Sequence, residues 1–263
     1  MEKLMEQTIT HNQPKTTAAD NPKSLKQRLQ AETAFLRQIM SLNLSSAMEY
    51  RASFISQILG MMVNNGIMLI FWLIFFDQFG NLGGYGFQEV LLIYGIVAFS
   101  YGISHMLAGN VGYHLAYLIA QGRLDYYLVF PRNLLIHIIF SRMQISAIGD
   151  LVFGLCAAVF IIGLNPLGLA QMLTLSLLAA AVITAYGVFA GSMAFFMGNA
   201  PNASQQMMGG LLTFSLYPSS IFSGGGKLLM YTLIPAAFVG GIPVEILRGG
   251  DGRLWLWMTT AVI

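Results

Sequence analysis

Charged side chains are scarce in this chain. Lys, Arg, Asp and Glu make up 9% of its 263 residues, against about 25% in ordinary soluble domains. Hydrophobic residues reach 56% and the mean hydropathy is +0.66, so water is not its main solvent. A net charge of +2 is too small and too scattered to argue for nucleic acid as a partner. Cysteine is reduced to Cys156 inside an apolar run, which excludes a disulfide framework and points to neither a reducing nor an oxidising compartment. Nothing near the start offers the apolar stretch of about 7 to 15 residues that a secretory signal needs. The four histidines, His11, His105, His114 and His137, show no paired metal spacing, and no Gly-x-Ser-x-Gly elbow exists; neither a metal nor a catalytic set is expected. A phosphate-binding loop is also missing. "GGGKLL" at 224–229 imitates its end, but Ile221 occupies the first glycine position and Leu228 replaces the Ser or Thr.

What is present is long apolar runs and an uneven charge distribution. Residues 1–51 hold seven Lys/Arg and five Asp/Glu, leaving six of each for the rest. Residues 1–23, rich in Thr, Asn, Pro and Lys, read as a disordered tail that cannot bury enough surface to offset ordering. Residues 24–50 repeat Leu25, Leu29, Phe35, Ile39 and Met40 among Lys26, Arg28, Glu32 and Arg37, the pattern of an amphipathic interfacial helix, the competing reading being an ordinary cytosolic helix.

The remainder, 51–263, reads as a transmembrane domain, since about 20 apolar residues cross a hydrocarbon core. Spans are expected at 52–76, 90–112, 143–163, 169–197 and 207–222, with Pro218 disturbing the fifth. The 223–250 stretch is apolar but broken by Gly and Pro, which suits a re-entrant segment whose backbone is satisfied by protein or a watery cavity. A sixth span starts at 254, yet its ten residues to Ile263 cover roughly 15 Å. The expectation is that the given chain is truncated there, the alternative being a helix that ends inside the bundle. Counting Lys and Arg in short flanking loops puts the amino terminus in the cytoplasm, together with Arg123, Arg132 and Arg142. Lys227, Arg248 and Arg253 then strain the rule late in the chain. The fold class is an all-α polytopic membrane protein.

One polar interruption stands out. "GRLDYYLVFPR" (122–132) falls in the inner connection 121–133, where Gly122 ends the preceding helix, Leu124 to Phe130 can make about two turns, and Pro131 stops them. Arg123, Asp125, Tyr126 and Tyr127, with Arg132, are presented to whatever lies beneath; Arg and aromatics are enriched in interface hot spots. An ordinary inside loop with positive-inside arginines is the competing reading. Inside the membrane, Asp150 is expected about eight residues, roughly 12 Å, into span three. Intramembrane acids default to functional hypotheses, against a buried acid that only ties helices together. Asn64, Asn65 and His105 suit interhelical hydrogen bonds, and Gly187-x-x-x-Gly191 marks close helix packing.

The order of elements resembles the permease subunits of ABC exporters of the type-2 class. More narrowly, "MEYRASF" (48–54), "GRLDYYLVFPRN" (122–133) and "YPSSIF...LIPAAFVGGIP" (217–243) resemble a six-span branch identified as ABC-2 family transporters. The resemblance covers about residues 35–263. It implies a six-span bundle in the cell membrane that exports a hydrophobic or amphipathic substrate. The 122–132 segment, with Gly122, Leu124 and Pro131 framing its polar residues, is similar to the coupling helix that docks on separate ATPase subunits. It further implies a second permease, same or sister chain, membrane lipid around both, and no cofactor in this chain, ATP and Mg being held by the ATPase partners. The reading from another class is a stand-alone channel or ion-coupled carrier using Asp150; a membrane enzyme would need a reactive constellation that is absent.

Overall fold

The computed structural model describes residues 25–130, 132–198, 200–250 and 252–261. The expected tail 1–23 with His11, Pro131 and the last two residues of the expected sixth span lie outside them. Among the described residues the regular structure is helical, without strands. The chain divides into two compact units, one up to Gln38 and one from Ile39 onward. The first contributes the opening turns of helix α1 (Leu25–Glu49), and the second holds the helices that come after it.

Among the described residues, three helices are long and apolar enough to cross a membrane. The first is α2 (Arg51–Phe79). The second is a rod of 34 residues, Phe87–Ala120, composed of α3 (Phe87–Ala108) and α4 (Val111–Ala120) with a break at Gly109 and Asn110. The third is α8 (Pro166–Ser192), extended by a 3₁₀ turn to Phe195. It begins at Pro166, ahead of the expected start at 169, because the Asn165 side chain accepts the Leu167 amide at 3.2 Å and Pro166 fills the first helical position. The α10 (Gly224–Tyr231) and α11 (Gly241–Leu247) stretch bends by 65° about residues 232–235, as a broken span or a re-entrant loop, giving at most four spans by length and composition. The remaining helices are shorter. α7 (Ala147–Ile162) begins after the expected Met143, because residues 141–146 turn instead of continuing as helix. α9 runs Ala200–Ser215 where 207–222 was expected, Pro218 lying beyond its end. α12 is Arg253–Thr260.

Burial sorts these helices by role. α3 is apolar on every side, and Val90 to Ala98 are buried without interruption, as befits a helix enclosed by others. It packs on α7 and α8, while α4 packs on α8 and α9. Ile93, Ile96, Met172, Leu175, Ile183, Leu211 and Val239 form the centre of the resulting core. α2 is the opposite case: only Asn65 and Trp72 are buried, and Ile67, Ile70 and Ile74 face outward.

The contacts between helices run through glycine. A Cβ on Gly154 of α7 would stand 2.5 Å from the Gly95 carbonyl oxygen and 2.7 Å from the Phe99 Cβ of α3. Gly149 meets Ile58 of α2 in the same way, and Gly187 and Gly191 of α8 lie against Val111, Gly112 and Leu115 of α4. Two backbones at this separation exclude any side chain between them.

Gly154→Leu is therefore expected to lower stability by about 1–3 kcal/mol or more, by wedging α3 from α7. Gly209→Ala, whose Cβ meets nothing within 4 Å on α9, is expected to be neutral or to stabilise by roughly 0.5–1 kcal/mol. Thermal unfolding of the two variants in detergent checks the contrast.

Candidate functional site

The 121–133 connection is built at the far end of the α3–α4 rod. At 1.5 Å per residue the rod is about 50 Å long, which exceeds the roughly 40–45 Å of a whole bilayer. α4 closes with a Schellman cap: Gly122 donates its amide to Ile119 at 3.0 Å and Arg123 to Leu118 at 2.8 Å. Gly122 has φ +64°, a conformation that costs glycine nothing and other residues more. The cap turns Leu124 back onto a small cluster of Leu115, Leu118 and Ile138. The helix that follows, α5 (Asp125–Leu128), is a single turn of four residues where two turns were expected. None of its residues is buried. Tyr126 is 72% exposed and Val129 84%, so an aromatic and aliphatic ridge stands out from the fold. Arg123 and Asp125 are exposed beside it, and Arg132 is half-buried. Asn133 accepts the Ile136 amide at 3.1 Å and starts α6 (Leu134–Phe140).

Behind the turn lies a cleft of about 600 Å³, lined among others by His114, Tyr117, Arg123, Tyr127, His137 and Arg142. Tyr127 Oη stands 3.5 Å from His114 Nε2, and the Arg123 guanidinium lies 5.9 Å over the Tyr117 ring. His137 packs edge to face against Tyr127 and Phe130. Burial and the nearby Arg132 charge hold its pKa below the ordinary value, which keeps the ring neutral at physiological pH.

The second candidate set is buried. Asn65, the midpoint of α2, donates from Nδ2 to Asp150 Oδ1 at 2.9 Å and accepts the Tyr94 hydroxyl at 2.9 Å. Three helices are thereby joined by one side-chain amide. Asp150 lies in the first turn of α7, not eight residues into a span; the expected depth assumed a helix from Met143. A carboxylate there gains from the helix dipole. Its Oδ2 is buried without a hydrogen-bond partner. Asn64 is exposed on the outward side of α2. His105 is buried with its ring stacked on Tyr101 at 3.7 Å.

A third cluster escaped sequence reasoning. At the rod's other end Arg248 Nη2 lies 2.7 Å from Glu89 Oε1 and its guanidinium 4.9 Å from the Tyr85 ring. Glu245 Oε1 accepts from Ser219 at 3.2 Å and from the Tyr85 hydroxyl at 3.4 Å. Burial first, then the Glu245 charge, raises the Tyr85 pKa, so the phenol keeps its proton as a donor. Arg248 at this end is therefore ion-paired with Glu89. Tyr85 and Glu245 are 160 positions apart, and no local pattern announces such a pair.

Asn65→Leu is expected to cost about 1–3 kcal/mol, because it strands both the Asp150 carboxylate and the Tyr94 hydroxyl. Asp150→Asn keeps the size and an acceptor oxygen and is expected to cost less. Melting temperatures of the two purified variants in detergent test the order.

Comparison with known proteins agrees with the resemblance drawn from the motifs. The chain matches the ABC-2 family transporter protein family over residues 61–263. No curated protein and no solved structure gives a match. The matched residues include the rod, the 121–133 connection, the buried trio and the bent α10–α11 stretch. The chain thus belongs to the ABC-2 family of transporter proteins, as a membrane-embedded permease component of an ABC transporter, a family that works with ABC ATPase subunits.

Proposed function

We propose that this permease is one half of the membrane path of an ATP-driven exporter in the cell membrane, carrying a hydrophobic or amphipathic substrate. In this reading the amino terminus is cytoplasmic, α1 lies along the inner interface, α7 and α9 are further spans beside the three long helices, and α12 begins the sixth. The 121–133 connection docks on a separate ATPase subunit, which alone holds ATP and Mg. Closure of the ATPases on ATP pushes the Asp125 turn, and the rod carries that push into the bundle.

The observation that carries the reading is the exposed ridge at Tyr126 to Phe130. It is held by the Gly122 cap and the Leu115–Leu118–Ile138 cluster, at the tip of a helix longer than the bilayer is thick. An isolated inside loop has no need of such backing. Aromatic and aliphatic side chains flanked by Arg123 and Asp125 have the composition of a buried interface centre. A second permease, same or sister chain, is supported by α2. Ser53, Gln57, Gly60 and Asn64 share an outward stripe on it, and amides at hydrocarbon depth gain from a helix partner. We place the substrate path along that inter-permease surface, near α2, α3 and α9. Asp150 is assigned to tying α2 to α7, with Gly187 and Gly191 holding α8 to α4; neither drives transport.

Affinity purification of the tagged chain from its host is expected to bring down an ABC ATPase, and Arg123→Ala with Asp125→Ala to release it at unchanged permease yield. Retention of the ATPase by that variant, with ATP turnover still following substrate, would reassign the docking surface. Asp150→Asn is expected to keep ATP-driven transport. Transport that instead stops in Asp150→Asn and follows an ion gradient would favour the carrier reading.

A further inference from the structure

We propose that the cleft behind the Asp125 turn is a binding site for a phosphate group, on an anionic phospholipid headgroup or on a free phosphate. The proposal does not rest on ATPase docking, because the ridge points outward and the cleft lies behind it.

Three features point to an anion. The cleft is lined by two arginines from different parts of the chain, Arg123 after the α4 cap and Arg142 after α6. Among the described residues neither guanidinium has a carboxylate within ion-pair distance. Asp125, the one acidic residue between Gln121 and Gln144, does not line the cleft. Second, His114 is 6% exposed, and its Nδ1 is buried without a hydrogen-bond partner. Its Nε2 lies 3.5 Å from the Tyr127 hydroxyl, and a buried polar atom left without a partner is uncommon. Third, the cleft combines these with the Tyr117 and Tyr127 side chains in a volume of about 600 Å³, within the range of small-ligand sites.

Forked guanidinium donors match the oxygens of a phosphate and bind it by charge-assisted hydrogen bonds. Arginines that serve only to set orientation need no common cavity, since facing water is enough. Here two converge on one, beside a buried ring nitrogen without a partner. The position also suits a headgroup. The cleft lies at the end of a rod that outruns the bilayer, where α4 leaves the lipid.

The full chain, purified in detergent and reconstituted in nanodiscs of equal parts phosphatidylglycerol and phosphatidylcholine, supplies the test, with native mass spectrometry counting the lipid that stays bound. Wild type is expected to retain phosphatidylglycerol over phosphatidylcholine. Arg123→Gln with Arg142→Gln is expected to lose roughly tenfold of that preference, the scale of one or two charge-assisted contacts. Lys227→Ala, at the other end of the bundle, is expected to lose none. Inorganic phosphate titrated at millimolar levels separates the sources. If it raises the melting temperature of wild type and displaces the lipid, the ligand is a free phosphate; if it does neither while the lipid preference holds, it is a headgroup. Should the double Gln variant fail to purify as a single species, Arg123→Lys with Arg142→Lys, which keeps the charge and loses the fork, carries the same comparison with a partial loss expected. Equal lipid retention in wild type and the double variant, with no phosphate effect on either melting temperature, overturns the site.

Discussion

Close backbone contact through glycine holds this bundle together, and the rest of the structure depends on it. Helix surfaces dissolved in lipid gain little from leaving it, because acyl chains are as apolar as leucine. Attraction must come from dispersion at short range and from the few polar groups present. Gly95, Gly102 and Gly154 at the α3–α7 crossing, and Gly112, Gly187 and Gly191 at the α4–α8 crossing, allow that approach. Because both crossings lie on the same rod, α3 and α4 are fixed against the bundle along most of their length. Where glycine is not the contact, as on the outward face of α2, no described residue covers the helix.

Much of this was legible in the sequence, for a physical reason. Long apolar runs, a charge-poor composition and a polar break at 122–133 depend only on local residue type, and the membrane class, the bent 223–250 stretch and the exposed turn follow from them. The misses share a cause as well. Asp150 was expected deep in a span because apolar residues before Ala147 look helical, yet Arg142 to Ser146 turn, with Gln144 donating its amide to the His105 carbonyl at 3.1 Å. That bond is long-range and leaves no periodic trace. The start of α9 at Ala200 was hidden for the converse reason, its first residues being polar and helical at once. The Arg248–Glu89 pair and the convergence of Arg142 with Arg123 depend on tertiary folding alone.

The buried trio shows how polarity survives in such a setting. A single amide answers both a hydroxyl and a carboxylate, using its oxygen for Tyr94 and its nitrogen for Asp150. Asn is the residue type that can do both at once. The trio joins α2, otherwise attached by few buried side chains, to the two helices at the centre. Membership of the ABC-2 family gives that attachment a context, since a membrane-embedded permease component must keep its helices assembled.

The break at Gly109 has a mechanical corollary. Gly109 turns with φ +52°, and the Arg142 carbonyl oxygen would stand 3.1 Å from any Cβ placed there. The ten residues of α4 thus continue for about 15 Å beyond a tightly packed bend. A tilt of some ten degrees about that bend, made by α4 together with the α8 segment packed on it, displaces the tip by roughly 2–3 Å, about half a helical turn. A small tilt at one end therefore becomes a displacement of side-chain size at the other.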